Sequence, residues 1–338
     1  METSRQASRN TMIKSFKNCF KIPKFKIQNY ISMQKTKIIF FGTHQFATKI
    51  LSGLIDSPLF EIKKVITQPD KPVGRKQILQ KSPVKLLAEE NNLEIDQPDS
   101  LKNYELLANG SELFIVAQYG LLIPENILNI PKFGTINVHT SLLPKYRGAS
   151  PIQSAILNGD TKTGITIMLM DKGMDSGPIL SQKEIDIENA ETYLELDARM
   201  ANISSQLLLS TIPKYLDKTI VPQNQDETQV TLCKKLSRDD GKIDWKNSSK
   251  QIYNQYRAFT PWPGVWTMWN DKRIKLLKIK ISEEKLATGL VQIEQDKIYV
   301  GTNDFALEIT KLQIEGKPVI ESKVFLNGYK NIDKVKLL

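Results

Sequence analysis

Residues 37–42 read Lys-Ile-Ile-Phe-Phe-Gly. Four apolar side chains in a row, with no polar alternation, suit a strand covered on both faces, the usual state of a parallel strand. A helical stretch follows from about 45 to 54, then a second strand at 62–66 and a helix at 83–91. Further strands are expected at 114–117 and 135–138, with a short helix at 151–157. Strands alternating with helices predict an α/β fold, a doubly wound Rossmann-like parallel sheet. Such sheets take ligands outside the carboxyl ends of their strands.

A helix from 191 to 216 closes this unit. Its Leu194, Leu196, Met200, Ile203, Leu207 and Leu208 fall near helical spacing. The polar stretch 222–228 reads as linker. Beyond it, short strands are expected at 273–281, 289–293, 297–301, 306–312 and 317–320, which fit a small β-barrel. The expected division is a basic, disordered leader at 1–32, a catalytic domain at 33–216, a linker at 217–234 and a C-terminal domain at 235–338.

Charge follows the same division. Residues 1–32 hold seven basic side chains and one acid, residues 33–234 hold 21 and 23, and residues 235–338 hold 19 and 13. A basic module attached to a nearly neutral one suggests a polyanionic substrate, although a lysine-rich solvated surface gives the same count. No apolar run reaches the length of a membrane span. The leader has no apolar core for secretion; an upstream start or a disordered basic arm suits it better than a transit peptide.

The chemistry concentrates in residues 137–148, Asn-Val-His-Thr-Ser-Leu-Leu-Pro-Lys-Tyr-Arg-Gly, which hold one of two histidines in the chain. In a strand, positions i and i+2 share a face, so Asn137 and His139 project together while Val138 turns into the core. An amide donor beside an imidazole suits acyl-type transfer: one stabilises an oxyanion, the other handles a proton. A carboxylate could orient the ring, fix its tautomer and raise its pKa. Asp171 and Asp175, in the Gly-rich turn after the strand that starts at Gly164, are the candidates. Both are ordinary turn residues taken alone. Asp175, between Gly173 and Gly177, is preferred because backbone can approach a ligand closely there.

Other chemistries find no support. Cys19 and Cys233 form no C-x-x-C, and His44 and His139 cannot supply a histidine-rich metal site, so no metal is expected. Ser141 lacks a nucleophile elbow. No P-loop occurs, and no G-x-G-x-x-G follows the first strand. Direct transfer without a covalent intermediate fits the inventory.

At these residues the chain closely resembles the folate-dependent formyltransferases. The matching pieces extend from residue 35 to about 270. They include Ile38–Thr43 with Phe46-Ala47, Thr67–Arg75 continuing to Lys85, Val116–Pro124, Asn137–Gly148, Gly164–Gly177 and Arg257–Thr267. Asn-x-His with the aspartate of Gly-Met-Asp-Ser-Gly is specific to the wider superfamily. The Gln-Pro-Asp loop and the Pro-Trp-Pro-Gly segment narrow it to tRNA-acting members. The chain departs from the pattern at Phe41, at His44-Gln45 and at Lys76, where a second loop glycine is usual.

The resemblance implies Asn137, His139 and Asp175 as the catalytic trio. Ser141, Leu142, Leu143 and Pro144 would contact the reduced folate, Arg75 the acceptor end of a tRNA, and the barrel would be OB-like. It further implies 10-formyltetrahydrofolate as formyl donor, the initiator methionyl-tRNA as acceptor for translation initiation, a monomer, and a cytoplasmic location, with organellar import through residues 1–32 as the alternative. Rival functions are a formyltransferase acting on a small amine such as a sugar nucleotide, a formyl-folate hydrolase, and a nucleic-acid-binding module on an inert domain. The tryptophans Trp262, Trp266 and Trp269 are expected to pack rather than to stack on bases.

Overall fold

The computed structural model describes residues 35–74 and 77–337, so the leader, Arg75 and Lys76 lie outside the described residues. The first part of the chain contains strands β1 (Thr36–Gly42), β2 (Phe60–Ile66), β3 (Lys71–Val73), β4 (Ile78–Gln80), β5 (Ile95–Asp96), β6 (Leu113–Ala117), β7 (Thr135–His139), β8 (Arg147–Gly148), β9 (Lys162–Leu169) and β10 (Ile179–Asp186). Its helices are α1 (Gln45–Asp56), α2 (Pro83–Glu90), α3 (Glu125–Leu128), α4 (Pro151–Leu157) and α5 (Tyr193–Leu216). Seven strands form one sheet in the order β10-β9-β7-β6-β1-β2-β5.

β1 is central and buried on both faces because its side chains alternate between two cores. Ile38 and Phe40 join Phe46, Ile50 and Leu54 of α1 in the larger core. Ile39 and Phe41 join Phe114, Val116 and Tyr119 in the smaller one. The Phe41 ring meets Phe114 and Tyr119 with centroids 5.5 Å apart in each case, a separation at which aromatic pairs attract.

The sheet is parallel from β7 to β5, while β9 runs antiparallel to β7 and β10 antiparallel to β9. The expected doubly wound, mostly parallel sheet is present, with one reversed strand near its edge. α4 joins β7 to β9 and shares the larger core with β7, and β9 returns against β7. The edge strand β10 is absent from the sequence reading because its centre, Ser-Gln-Lys-Glu, lacks an apolar pattern. α5 starts two residues later than expected, where Thr192 and Glu195 form a capping box. Leu196, Met200, Leu208 and Ile212 are buried along it, while Leu194 is exposed.

The C-terminal part holds β11 (Leu232–Cys233), α6 (Ser249–Phe259), β12 (Val265–Trp269), β13 (Lys272–Ile281), β14 (Val291–Glu294), β15 (Lys297–Gly301), β16 (Ala306–Ile314), β17 (Ile320–Glu321) and α7 (Ser322–Leu326). Strands β12 to β17 form one antiparallel sheet. Trp266 and Trp269 are buried, and Trp262 is exposed. The sequence reading did not include α6, β12 or α7. Strand β12, Val-Trp-Thr-Met-Trp, is apolar at nearly every position, so it has no alternation to read.

The two parts pack through α6, which lies against α4. Arg257 of α6 is buried and crosses this junction. Its guanidinium donates to the carbonyls of Glu188 and Glu191, just ahead of α5, and to the side chain of Asn254. The Glu188 carbonyl also accepts from the Glu191 N–H, and Arg257 ties this turn to α6 with charged donors. Arg257→Leu is expected to lower stability by about 2–3 kcal/mol, the range for hydrogen bonds to a charged donor. Urea unfolding checks this; an unchanged midpoint would remove Arg257 from that role.

Candidate active site

Asn137 and His139 stand on the same side of β7, at its carboxyl end, while Ile136 and Val138 enter the larger core. The site therefore opens where the strand order of an α/β sheet leaves a crevice. His139 is buried. Its Nε2 is 3.0 Å from the carbonyl oxygen of Tyr146. A carbonyl only accepts, so Nε2 carries a proton and Nδ1 is the atom left for chemistry. Nδ1 lies 3.6 Å from Oδ1 of Asp175.

Asp175 reaches the ring from the loop between β9 and β10. Its φ is +51°, a left-handed conformation that Asp tolerates better than most residues. Asn137 Nδ2 donates to Asp175 Oδ1 at 3.3 Å, and the backbone N–H of Gly148 donates to Oδ2 at 2.9 Å. One carboxylate thus faces the amide, the imidazole and a backbone donor. Asp171 has a different part: its Oδ1 accepts from the N–H of Gly173 and the hydroxyl of Ser176, which closes the turn. The loop returns to β10 at Gly177, where a Cβ would lie 1.9 Å from the Leu169 carbonyl oxygen; only glycine fits.

After His139 the chain makes a tight turn. Ser141 is fully buried, and its hydroxyl donates to the carbonyl of Lys145 at 2.6 Å. Thr166 of β9 donates to the Ser141 carbonyl and accepts from the Leu143 N–H. Gln182 of β10 donates to the Leu143 carbonyl and to Thr166. Two residues from two strands thereby fix the 141–144 turn. Leu143 is buried, while Leu142 and Pro144 keep part of their surface in solvent and give the site an apolar rim. Such a rim, next to a strand end, suits the flat ring of a reduced folate better than a charged group. Arg75 lies outside the described residues. The hairpin that carries it, β3 and β4, projects with Ile78 and Leu79 exposed.

Sequence reasoning did not single out three groups that bind this site together. The Tyr146 carbonyl fixes the histidine tautomer, the Gly148 N–H holds the aspartate, and buried Arg147 sits between them. Their signal was visible only as the Lys-Tyr-Arg-Gly end of the 137–148 stretch, since backbone groups carry no residue signature.

The arrangement agrees with comparisons to known proteins. The family profile described as "Formyl transferase" matches residues 36–212, and "Formyl transferase, C-terminal domain" matches residues 235–330. A methionyl-tRNA formyltransferase of Caldicellulosiruptor saccharolyticus is 42% identical over 303 residues, covering 87% of this chain and 97% of that protein. Another, of Thermodesulfovibrio yellowstonii, is 41% identical over 297 residues, with coverage of 87% and 96%. Among solved structures, an N-formyltransferase of Helicobacter canadensis in complex with folinic acid and dTDP-3-aminofucose aligns with a TM-score of 0.60 at 20% identity, covering 82% of this chain and 99% of that one. A methionyl-tRNA formyltransferase of Clostridium thermocellum aligns with a TM-score of 0.51 at 20% identity, with coverage of 85% and 99%. At that identity the structures speak for the fold; the sequence relatives and both profiles carry the assignment. With its site at the end of β7 and matches over nearly the whole described chain, this protein belongs to the formyl transferase family.

Proposed function

We propose that this enzyme transfers the formyl group of 10-formyltetrahydrofolate to the α-amine of initiator methionyl-tRNA. The observation that carries the reading is the convergence of Asn137, His139 and Asp175 at one strand end. It occurs in a chain about two-fifths identical to relatives named methionyl-tRNA formyltransferase along almost their full length. In this reading residues 33–216 carry the chemistry and the basic residues 235–338 bear on the tRNA. The sugar-nucleotide alternative draws only on fold likeness.

The incoming amine attacks the formyl carbon, a C–N bond forms, and negative charge gathers on the formyl oxygen. Asn137 uses one amide N–H on Asp175 and has a second to give to that oxygen. His139 takes the amine proton at Nδ1, since its Nε2 is engaged by Tyr146. The imidazolium so formed rests beside the Asp175 carboxylate. His139 then gives the proton to the departing N10 as its bond to carbon breaks. Leu142 and Pro144, with the turn that Thr166 and Gln182 brace, would hold the folate ring.

The direct assay uses labelled formyl-folate and charged initiator tRNA, with label on the amino acid as the expected result. Label on a free amine, or folate turnover without tRNA, would support the rivals instead. Asn137→Ala and His139→Ala should each lower kcat by about 10²–10³-fold, the usual loss for one transition-state donor, with little change in folate affinity. Near-normal turnover in either variant would refute its role. Arg75→Ala should raise KM for the tRNA and leave folate binding intact. Affinity for tRNA should fall steeply with salt through loss of phosphate contacts; a flat salt response would argue against the basic module as the tRNA-binding part.

A further inference from the structure

The segment that reads as a plain linker does not hang free beside the site. Residues 223–233 run back over it and bond to it at five points. Gln223 exchanges two backbone hydrogen bonds with Ile179, at the start of β10. Gln225 is buried, and its Nε2 donates to the carbonyls of Asp175 and Gly177 at 2.8 Å each. The Oε1 of Gln225 accepts from Nε and Nη2 of Arg147 at 3.0 and 2.8 Å. Glu227 takes the other edge of the same guanidinium in a bidentate pair at 2.7 and 3.1 Å. Thr231 accepts from the N–H of Tyr146 through its hydroxyl and from the N–H of Arg147 through its carbonyl. Finally β11 pairs with β8 in parallel. Gly148 has φ +126°, and a Cβ there would lie 2.2 Å from the Cys233 carbonyl oxygen, so the two backbones touch.

These contacts fall on both partners of the histidine–aspartate pair. Gln225 holds the backbone at the left-handed Asp175 and again two residues beyond it. Thr231 and β11 hold the Tyr146–Gly148 segment, whose carbonyl fixes the His139 ring and whose N–H fixes the Asp175 carboxylate. Arg147 joins the two halves, since its guanidinium orients the Gln225 amide so that the NH₂ faces the loop. An amide turned the other way would set its oxygen against two carbonyls and its NH₂ against a cation, so the orientation is fixed by charge. A loop with exposed Met174 at its tip has few other ties.

We propose that Gln225 and Arg147 are positioning residues for catalysis, and that the interdomain segment 223–233 sets the His139–Asp175 geometry. This inference rests on the formyl-transfer reading above for its kinetic consequence. Gln225→Glu is the test variant. It keeps the size and the partnership with Arg147 but cannot donate to the two loop carbonyls while ionised. Its kcat should fall roughly 10–100-fold, the scale of a small displacement of reacting groups, with KM for formyl-folate and for tRNA within about twofold of the parent, a margin well under the tenfold that 1.4 kcal/mol of binding would give.

Two readouts separate positioning from a merely structural part. In an Asp175→Ala background the further loss from Gln225→Glu should vanish, because groups acting as a unit are not additive. The chain has two histidines, so ring NMR distinguishes them: the His139 signals should shift in Gln225→Glu while those of exposed His44 stay. Multiplicative kinetic losses, or an unmoved His139, would overturn the proposal. Should Gln225→Glu fail to fold, Gln225→Leu, which removes both ends of the amide without adding charge, carries the same two readouts. If the parent transferred no formyl group at all, the functional reading would fail, and the His139 signals would still decide whether the segment positions the ring.

Discussion

The carboxylate of Asp175 gathers the site. Its two oxygens face an amide, an imidazole and a backbone N–H, drawn from β7 and from the turn after it. Asp175 lies 36 residues beyond His139 in sequence, on the far side of β9. β9 runs antiparallel to β7 and ends beside Ile136, and the loop that follows turns back to set Asp175 against Asn137, His139 and Gly148. The path of that loop, closed by Asp171 and anchored at Gly177, is therefore the feature of the fold on which the chemistry depends.

Polar residues support the site from behind in two groups. Thr166 and Gln182 brace the 141–144 turn from β9 and β10. Gln225 and Glu227, from the segment between the two parts of the chain, join Arg147 of β8 in bracing the aspartate loop. In both groups a side-chain amide donates to loop carbonyls, Gln182 to that of Leu143 and Gln225 to those of Asp175 and Gly177, which satisfies these acceptors and fixes the loop shape at once. Arg257 does the same where α6 meets the start of α5. The C-terminal part is thus fastened to the catalytic part by hydrogen bonds to main-chain atoms as well as by the packing of α6 on α4.

Function entered the sequence through a small number of side chains. The Asn-x-His pair was legible because strand periodicity places i and i+2 on one face. The choice of Asp175 over Asp171 rested on its flanking glycines and on the family resemblance, since both are acids in a glycine-rich turn. In the structure Asp171 accepts from Gly173 and Ser176 inside the turn, and Asp175 faces the ring. Ser141, named for a folate contact, has its hydroxyl committed to the Lys145 carbonyl, which leaves Leu142 and Pro144 as the more open members of that turn.

What the sequence determined by itself was the strand core and its order of elements. The Lys37–Phe41 run, the helix expected at 191–216 and the Asn137–His139 pair are local patterns, and local patterns survive without knowledge of the fold. Tertiary structure alone decided the direction of β9, the tautomer of His139 and the part played by Gln225. Each of these depends on a backbone group brought from elsewhere in the chain: Ile136 to Leu169, the Tyr146 carbonyl, and the carbonyls of Asp175 and Gly177. Every residue has the same backbone donors and acceptors, so no residue type announces which ones will meet.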